Sequence, residues 1–417
     1  MIQITQVNSN EEACRLTSEF MSPNRVESYK SAIGAPIVMG KSHGVRMWDL
    51  DGNSFIDCRS AGGIFNFGHR PQFMVDALKQ ALDKFDMGDW MLLSAQRAQA
   101  AEALAQILPE GLCYTHFAVT GSEAVECACK LARGVTGRKK ILAMDGCYHG
   151  YLGFSLAMVD EKMSHWYAPL VPGVSKIPFG DIKAVEKEVD DDTAAVILET
   201  IQGNSGATIP PDGYLAAVRR ICDERGALLI FDEVQAGLGR CGTTFAFEHW
   251  GVEPDLLVLA KGLGGGVYPV SACCFGDRCE AFFEKTPHLH VSTFMGSELG
   301  MAVVIETVKK LTEPGFLDHV NAMAERFRPG LEALCQKYPE ILTGFRQKGL
   351  FMGLETLSVE QGNKLKHTAI ANGILAATAA FNHAVLQVYP PLIIFPDEVD
   401  EVLTGLDTAL EAINEYP

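Results

Sequence analysis

Two apolar runs in this chain end in side chains that are costly to bury without a purpose. Leu228-Leu229-Ile230-Phe231 delivers Asp232, Glu233 and Gln235, and Leu256-Leu257-Val258-Leu259-Ala260 delivers Lys261 into the glycine-rich turn Gly262-Leu263-Gly264-Gly265-Gly266. Carboxylates and ammonium groups at such positions need partners. A desolvated amine loses its proton readily and becomes nucleophilic, so Lys261 suits imine formation with an aldehyde cofactor. Asp232 would then pair with a pyridinium nitrogen, keeping the ring able to hold the electrons of a carbanion.

Two further segments fit the same chemistry. In Ala118-Val119-Thr120-Gly121-Ser122-Glu123 a strand meets a helix, and the free N–H groups at that helix end suit a phosphate, although Ser122 on its own reads equally well as an ordinary N-cap. Tyr148 and His149 follow the strand ending at Met144 and offer two aromatic rings for sandwiching a flat cofactor; an aromatic there is otherwise core.

The elements that must position these groups alternate. Short apolar strands at 115–119, 140–144, 194–199, 227–231 and 256–259 are separated by amphipathic helices, two of them from Ser122 and Asp212, which predicts an α/β fold with a mostly parallel sheet. Loops after parallel strands gather on one edge, so residues following strands are favoured site candidates. Upstream, Val45–Asp57 with Asp51-Gly52 at its centre predicts a hairpin, and helices are predicted from Pro71 and over 94–108, with Ser94 as N-cap. Beyond about residue 300 the chain becomes largely helical, with strands at 349–355 and 384–388 and a last helix from Asp397, a smaller α+β domain.

Composition narrows the function classes. The net charge of −17 repels nucleic acid, and no uncharged apolar stretch reaches the ~18 residues that would span a bilayer. The amino terminus lacks the charged and apolar regions of a signal peptide, so the cytoplasm is expected. The twelve cysteines lie in apolar runs such as Ser271–Phe275 and read as reduced, buried hydrophobes. There is no CxxC pair, and His288 and His290 lack companion ligands, so no metal is expected. A nicotinamide oxidoreductase is disfavoured because no G-x-G-x-x-G follows a first strand.

Taken together, Thr120–Glu126, Tyr148-His149-Gly150, Glu199–Gly203, Asp232–Gln235, Ala260–Gly266 and Ser292-Thr293-Phe294 resemble, in order and spacing, the class-III aminotransferases of the pyridoxal phosphate (PLP) fold type I superfamily, from about Gly44 to Val402. The resemblance implies a seven-stranded large domain (61–300), a small domain (301–417) joined by the N-terminal segment (1–60), and pyridoxal 5'-phosphate as cofactor. It implies Lys261 as the Schiff-base lysine, Asp232 as pyridinium partner, Gln235 at the phenolic oxygen and Glu199 on the same side. Tyr148 would stack on the ring, and Gly121 and Ser122 would bind the phosphate. Thr293 would reach the phosphate of a neighbouring subunit, implying a homodimer with shared sites, while Arg240 would be structural.

The sequence departs from that pattern at two positions. Many members hold an α-carboxylate with an arginine just before x-Pro-Pro-Leu; here that position is Gln387, and the switch glutamate that accompanies it in some members is Asn204. The Gly203–Gly206 and Cys147–Gly150 segments are similar to the glutamate-1-semialdehyde aminomutase branch. The expected activity is amino transfer between a donor such as glutamate, captured by another arginine such as Arg59, and an aldehyde, ketone or sugar-type acceptor without an α-carboxylate. An aminomutase or an epimerase/racemase on the same scaffold is the alternative, and a silent PLP-fold scaffold protein is disfavoured by the presence of both Lys261 and Asp232.

Overall fold

The computed structural model describes residue 2 and residues 4–415. Its centre is a seven-stranded sheet of β1 (Tyr114–Ala118), β2 (Lys140–Met144), β3 (Val174–Ile177), β4 (Thr193–Glu199), β5 (Leu228–Asp232), β6 (Leu256–Leu259) and β7 (Ser271–Phe275), in spatial order β1-β7-β6-β5-β4-β2-β3. All pairings are parallel except those of β7, which runs antiparallel to both β1 and β6. The predicted mostly parallel α/β sheet is present, with two strands, β3 and β7, beyond the five predicted spans. β3 is short and half-buried, and β7 lies in the cysteine-rich run read only as buried hydrophobes.

Strands β4, β5, β6 and β7 are buried along their whole length. That is why they are continuous apolar runs rather than alternating ones: helices cover both faces, and each buried Leu or Ile contributes roughly 1.5–3 kcal/mol. Helix α1 (Gly121–Thr136) follows β1 and packs on the sheet through Ala124, Val125, Cys127, Ala128 and Leu131. Its N-cap is Thr120, whose hydroxyl accepts from the Glu123 N–H in a capping box, so Ser122 lies in the first turn and is not the cap. Ser94 does cap its helix, Ala95–Ala105, accepting from the Arg97 N–H.

The predicted hairpin forms between Arg46–Asp49 and Ser54–Asp57, and its second strand pairs in parallel with Ile374–Leu375 from the far end of the chain. A second small sheet joins Leu342–Lys348, Phe351–Thr356, Ala377–Ala379 and Asn382–Val388. The boundary at residue 300 falls inside the helix Glu298–Leu311, which packs on Gln72–Leu82 and Ala95–Ala105. Among the described residues no helix is long and apolar enough to cross a membrane.

Candidate active site

The carboxyl ends of β1, β2, β4, β5 and β6 open on a cavity of ≈ 410 Å³. It is lined by Gly121, Ser122, Tyr148, His149, Glu199, Asp232, Gln235 and Lys261, so the structure brings together every predicted site residue except Thr293. Thr293 is exposed, in a turn outside this cavity. A second cavity of ≈ 740 Å³, on the side of the small sheets, shares Tyr148, Gln235 and Lys261 with the first.

Lys261 follows β6 after the single residue Ala260 and holds φ at 45°, a left-handed conformation a residue with a Cβ seldom adopts. Burial lowers the pKa of its amine against the opposing attraction of Asp232 and Glu199, which moves it toward the neutral, nucleophilic form. Beside it, Ser60, Ala61, Gly62 and Gly63 form a run of left-handed residues, and a Cβ on Gly62 would sit 3.5 Å from Lys261 Cε. Clustered left-handed backbone of this kind is a mark of functional sites. Asp57 holds the run by accepting the N–H groups of Arg59 and Ser60.

Asp232, at the end of β5, accepts the Val234 N–H at 3.0 Å and meets His149 Nδ1 at 2.7 Å. Burial opposes a charge on His149, but Cys147 and the Asp232 carboxylate outweigh it and hold its pKa well above the usual value. His149, expected as one of two flanking aromatic rings, lines the cavity and is a buried hydrogen-bond partner of Asp232. Glu199, at the end of β4, accepts the N–H groups of Tyr148 (2.8 Å) and Gly203 (2.9 Å), fixing the loop that carries Tyr148. Burial pushes Glu199 up to about 7. Its neighbour Glu233 points away, to Thr200 and the N–H groups of Ala246 and Phe247, and burial pushes it up to about 8. Arg240 is fully buried and donates to the Leu350 and Pro390 carbonyls and to Asn66, a structural clamp.

The two departing positions meet around Gly203. Gln387 Nε2 donates to the Gly203 carbonyl at 2.8 Å, and Gln235 Nε2 donates to Asn204 Oδ1 at 3.1 Å. This leaves Gln235 Oε1 buried without a partner. Gln387, Gly203, Asn204 and Gln235 thus form a neutral amide network.

Comparison with known proteins accounts for this arrangement. Residues 29–410 match the family described as aminotransferase class-III. The chain belongs to the class-III aminotransferases. It is similar to an uncharacterized aminotransferase of Archaeoglobus fulgidus, 44% identical over 398 residues (95% of this chain, 93% of that protein). It is also similar to a putrescine aminotransferase of Pectobacterium atrosepticum, 35% identical over 424 residues (97% and 90%). The ornithine aminotransferase of Toxoplasma gondii ME49 superposes with a TM-score of 0.91 at 26% identity, covering 99% of this chain and 97% of that one. This aminotransferase has the mixed seven-stranded sheet and smaller domain of the PLP fold type I enzymes, is a transaminase, and uses pyridoxal 5'-phosphate.

Three parts of the site are not legible in the sequence. The His149–Asp232 pair joins residues 83 apart, the Gln235–Asn204 pair joins residues 31 apart, and the left-handed run at 60–63 was signalled only by Gly62-Gly63.

Proposed function

We propose that the 410 Å³ cavity holds the cofactor, with Lys261 as its covalent anchor, Asp232 at the ring nitrogen and Gln235 at the phenolic oxygen. Glu199 fixes Tyr148 over the ring, and Gly121 and Ser122 hold the phosphate at the start of α1. The residues present fit that group. Gln235 Oε1 has no hydrogen-bond partner among the described residues, the Lys261 amine is biased toward neutrality, and His149 meets the Asp232 carboxylate at 2.7 Å. Pyridoxal phosphate supplies an aldehyde that captures amines and a ring that accepts an electron pair. Lys261 Nζ, released from the cofactor, would serve as the base that moves the proton of the substrate carbon bearing nitrogen. Asp232, positioned by its 2.7 Å contact with His149, would hold the ring nitrogen.

The reaction is amino transfer from a donor such as glutamate to an aldehyde, ketone or sugar-type acceptor without an α-carboxylate. The neutral Gln387–Gly203 contact supports the second half of that reading, because it offers no bidentate cation for an α-carboxylate. Arg59, exposed on the wall of the larger cavity, is the candidate for the donor's carboxylate. The N-terminal segment 1–60 joins the small domain, supported by the pairing of Ser54–Asp57 with Ile374–Leu375, and the helix Glu298–Leu311 belongs with the large one. The working form is a homodimer in which Thr293 reaches the partner's phosphate. Its place is the cytoplasm, in keeping with twelve unpaired cysteines, nine of them buried.

The observation that carries this reading is the convergence of Lys261, Asp232, Glu199 and Tyr148 from separate strands on one cavity. The test is the absorption spectrum of the PLP-loaded protein before and after L-glutamate, L-alanine or a simple primary amine, with products identified by mass spectrometry. Loss of the visible band with a carbonyl product is expected. A persistent band, with solvent deuterium entering an unchanged or rearranged amine, would overturn transamination in favour of racemase or aminomutase chemistry.

A further inference from the structure

The larger cavity contains a buried cation that the transamination chemistry does not use. Lys366, on the helix Val359–Ala371, is 3% exposed and donates to the Ser31 carbonyl at 3.0 Å and, at 3.5 Å, to Asn363 Oδ1. An ammonium has three N–H donors, so one is left without a protein acceptor, and a buried charge held only by neutral groups is under-compensated. Among the described residues no carboxylate pairs with it, and burial lowers its pKa.

The surroundings repeat the pattern. Lys366 lines the 740 Å³ chamber that reaches Lys261 and Gln235, and the chamber's lining includes Arg59 and His383 but no aspartate or glutamate. The Arg59 guanidinium makes no hydrogen bond or ion pair among the described residues. In a chain of net charge −17, a chamber lined by Arg59 and Lys366 and free of carboxylates is a selective arrangement. A diamine of the kind named for the putrescine relative would bring a second ammonium into this positive field, where like charges repel.

We propose that Lys366 is the specificity-determining residue of this chamber, holding a carboxylate or phosphate at the far end of the amine or carbonyl substrate, with Arg59 adding a second positive charge. The proposal rests on the reading of the Lys261 cavity as the transamination site. Bringing an anion to Lys366 supplies the missing acceptor, so the compensation is realised only with the right substrate.

The test separates binding from turnover. Calorimetry on the PLP-loaded enzyme uses pentanoate and propyl phosphate, which carry no amine, and pentanamide as the neutral isostere. The expected result is binding of one or both anions about tenfold tighter than the amide, the worth of one charge-assisted hydrogen bond. The anion that wins tells carboxylate from phosphate. Lys366→Met should erase the preference and Lys366→Arg should retain most of it. Equal affinities for anion and amide in the wild type, or an undiminished preference in Lys366→Met, would overturn the proposal. In parallel, cofactor conversion is followed with 5-aminopentanoate, pentylamine and cadaverine. Anion selectivity with no conversion by any amine would leave the Lys366 site standing and sink the transaminase reading; conversion of all three with equal efficiency and no anion selectivity would do the reverse.

Discussion

At the scale of single residues, the site is organised by which groups hold the chemistry and which hold those groups. His149 is among the latter. Replacing it by Phe keeps the ring volume but removes the 2.7 Å partner of Asp232, a charge-assisted bond worth about 1.5–3 kcal/mol, so kcat should fall roughly 10- to 100-fold. Single-turnover kinetics would check this, and an unchanged rate would mean that Asp232 does not depend on His149. The buried carboxylates carry a pH signature. Glu199 and Glu233 titrate at about 7 and about 8 in the fold, against an ordinary 4.5, so folding takes up protons between pH 4.5 and 8. Their contribution to stability is therefore greatest below pH 4.5 and declines as pH rises through that window. The melting temperature of the apoenzyme should fall less steeply over pH 5–8 in Glu233→Gln; equal slopes would assign the effect to other groups. Lys261 and Asp232 were legible in the sequence because a continuous apolar run announced each charged residue. The pairing of His149 with Asp232 and of Asn204 with Gln235 was not, because both residues stand out in the sequence for other reasons and their contacts form only when distant strands are brought side by side.

Among elements, the first turn of α1 is the most tightly specified. Thr120 and Glu123 cap it reciprocally, Ser271 at the start of β7 donates its hydroxyl to the Thr120 carbonyl, and Gly150, at φ +117°, lets a second loop lie against Ser122. A Cβ at position 150 would collide with the Ser122 side chain and force a backbone conformation unfavourable to L residues. Gly150→Ala should therefore raise the dissociation constant for PLP about tenfold or more, corresponding to ~1.4 kcal/mol, while the fold persists. Equilibrium dialysis would measure it, and unaltered affinity would remove Ser122 from the phosphate site. The strands carrying the site were readable because burial on both faces makes each a compact apolar word. β3 escaped because a half-buried edge strand of four residues has no such signature, and β7 because cysteine serves equally well as core filler in a helix or a strand.

For the whole molecule, Met91, Leu92 and Leu93 are exposed, and the segment is held in shape by Arg97, which donates to the carbonyls of Asp89, Trp90 and Leu92. It lines a cavity with Met295 and Gly296, the same turn that carries Thr293 and exposed Phe294. An ordered apolar surface continuous with the proposed cross-subunit residue suits a subunit interface. Leu93→Asp should shift the protein toward monomer and weaken cofactor retention, and Thr293→Ala should weaken retention with the dimer intact. Sedimentation at several concentrations with PLP titration would check both; a monomeric wild type would refute the shared site. This level was the least legible from residues alone, since an exposed leucine in sequence looks the same as a buried one.

The parallel pairing of Ser54–Asp57 with Ile374–Leu375 also sets a timetable for synthesis. The early strand leaves the ribosome roughly 300 residues before its neighbour, an interval of about 15–60 s at 5–20 residues per second. Throughout that interval the hairpin must wait with one edge open. The central sheet, complete by Phe275, can assemble meanwhile, so a nascent chain of this enzyme has its chemistry-bearing strands in place before the segment carrying Arg59 is locked beside them.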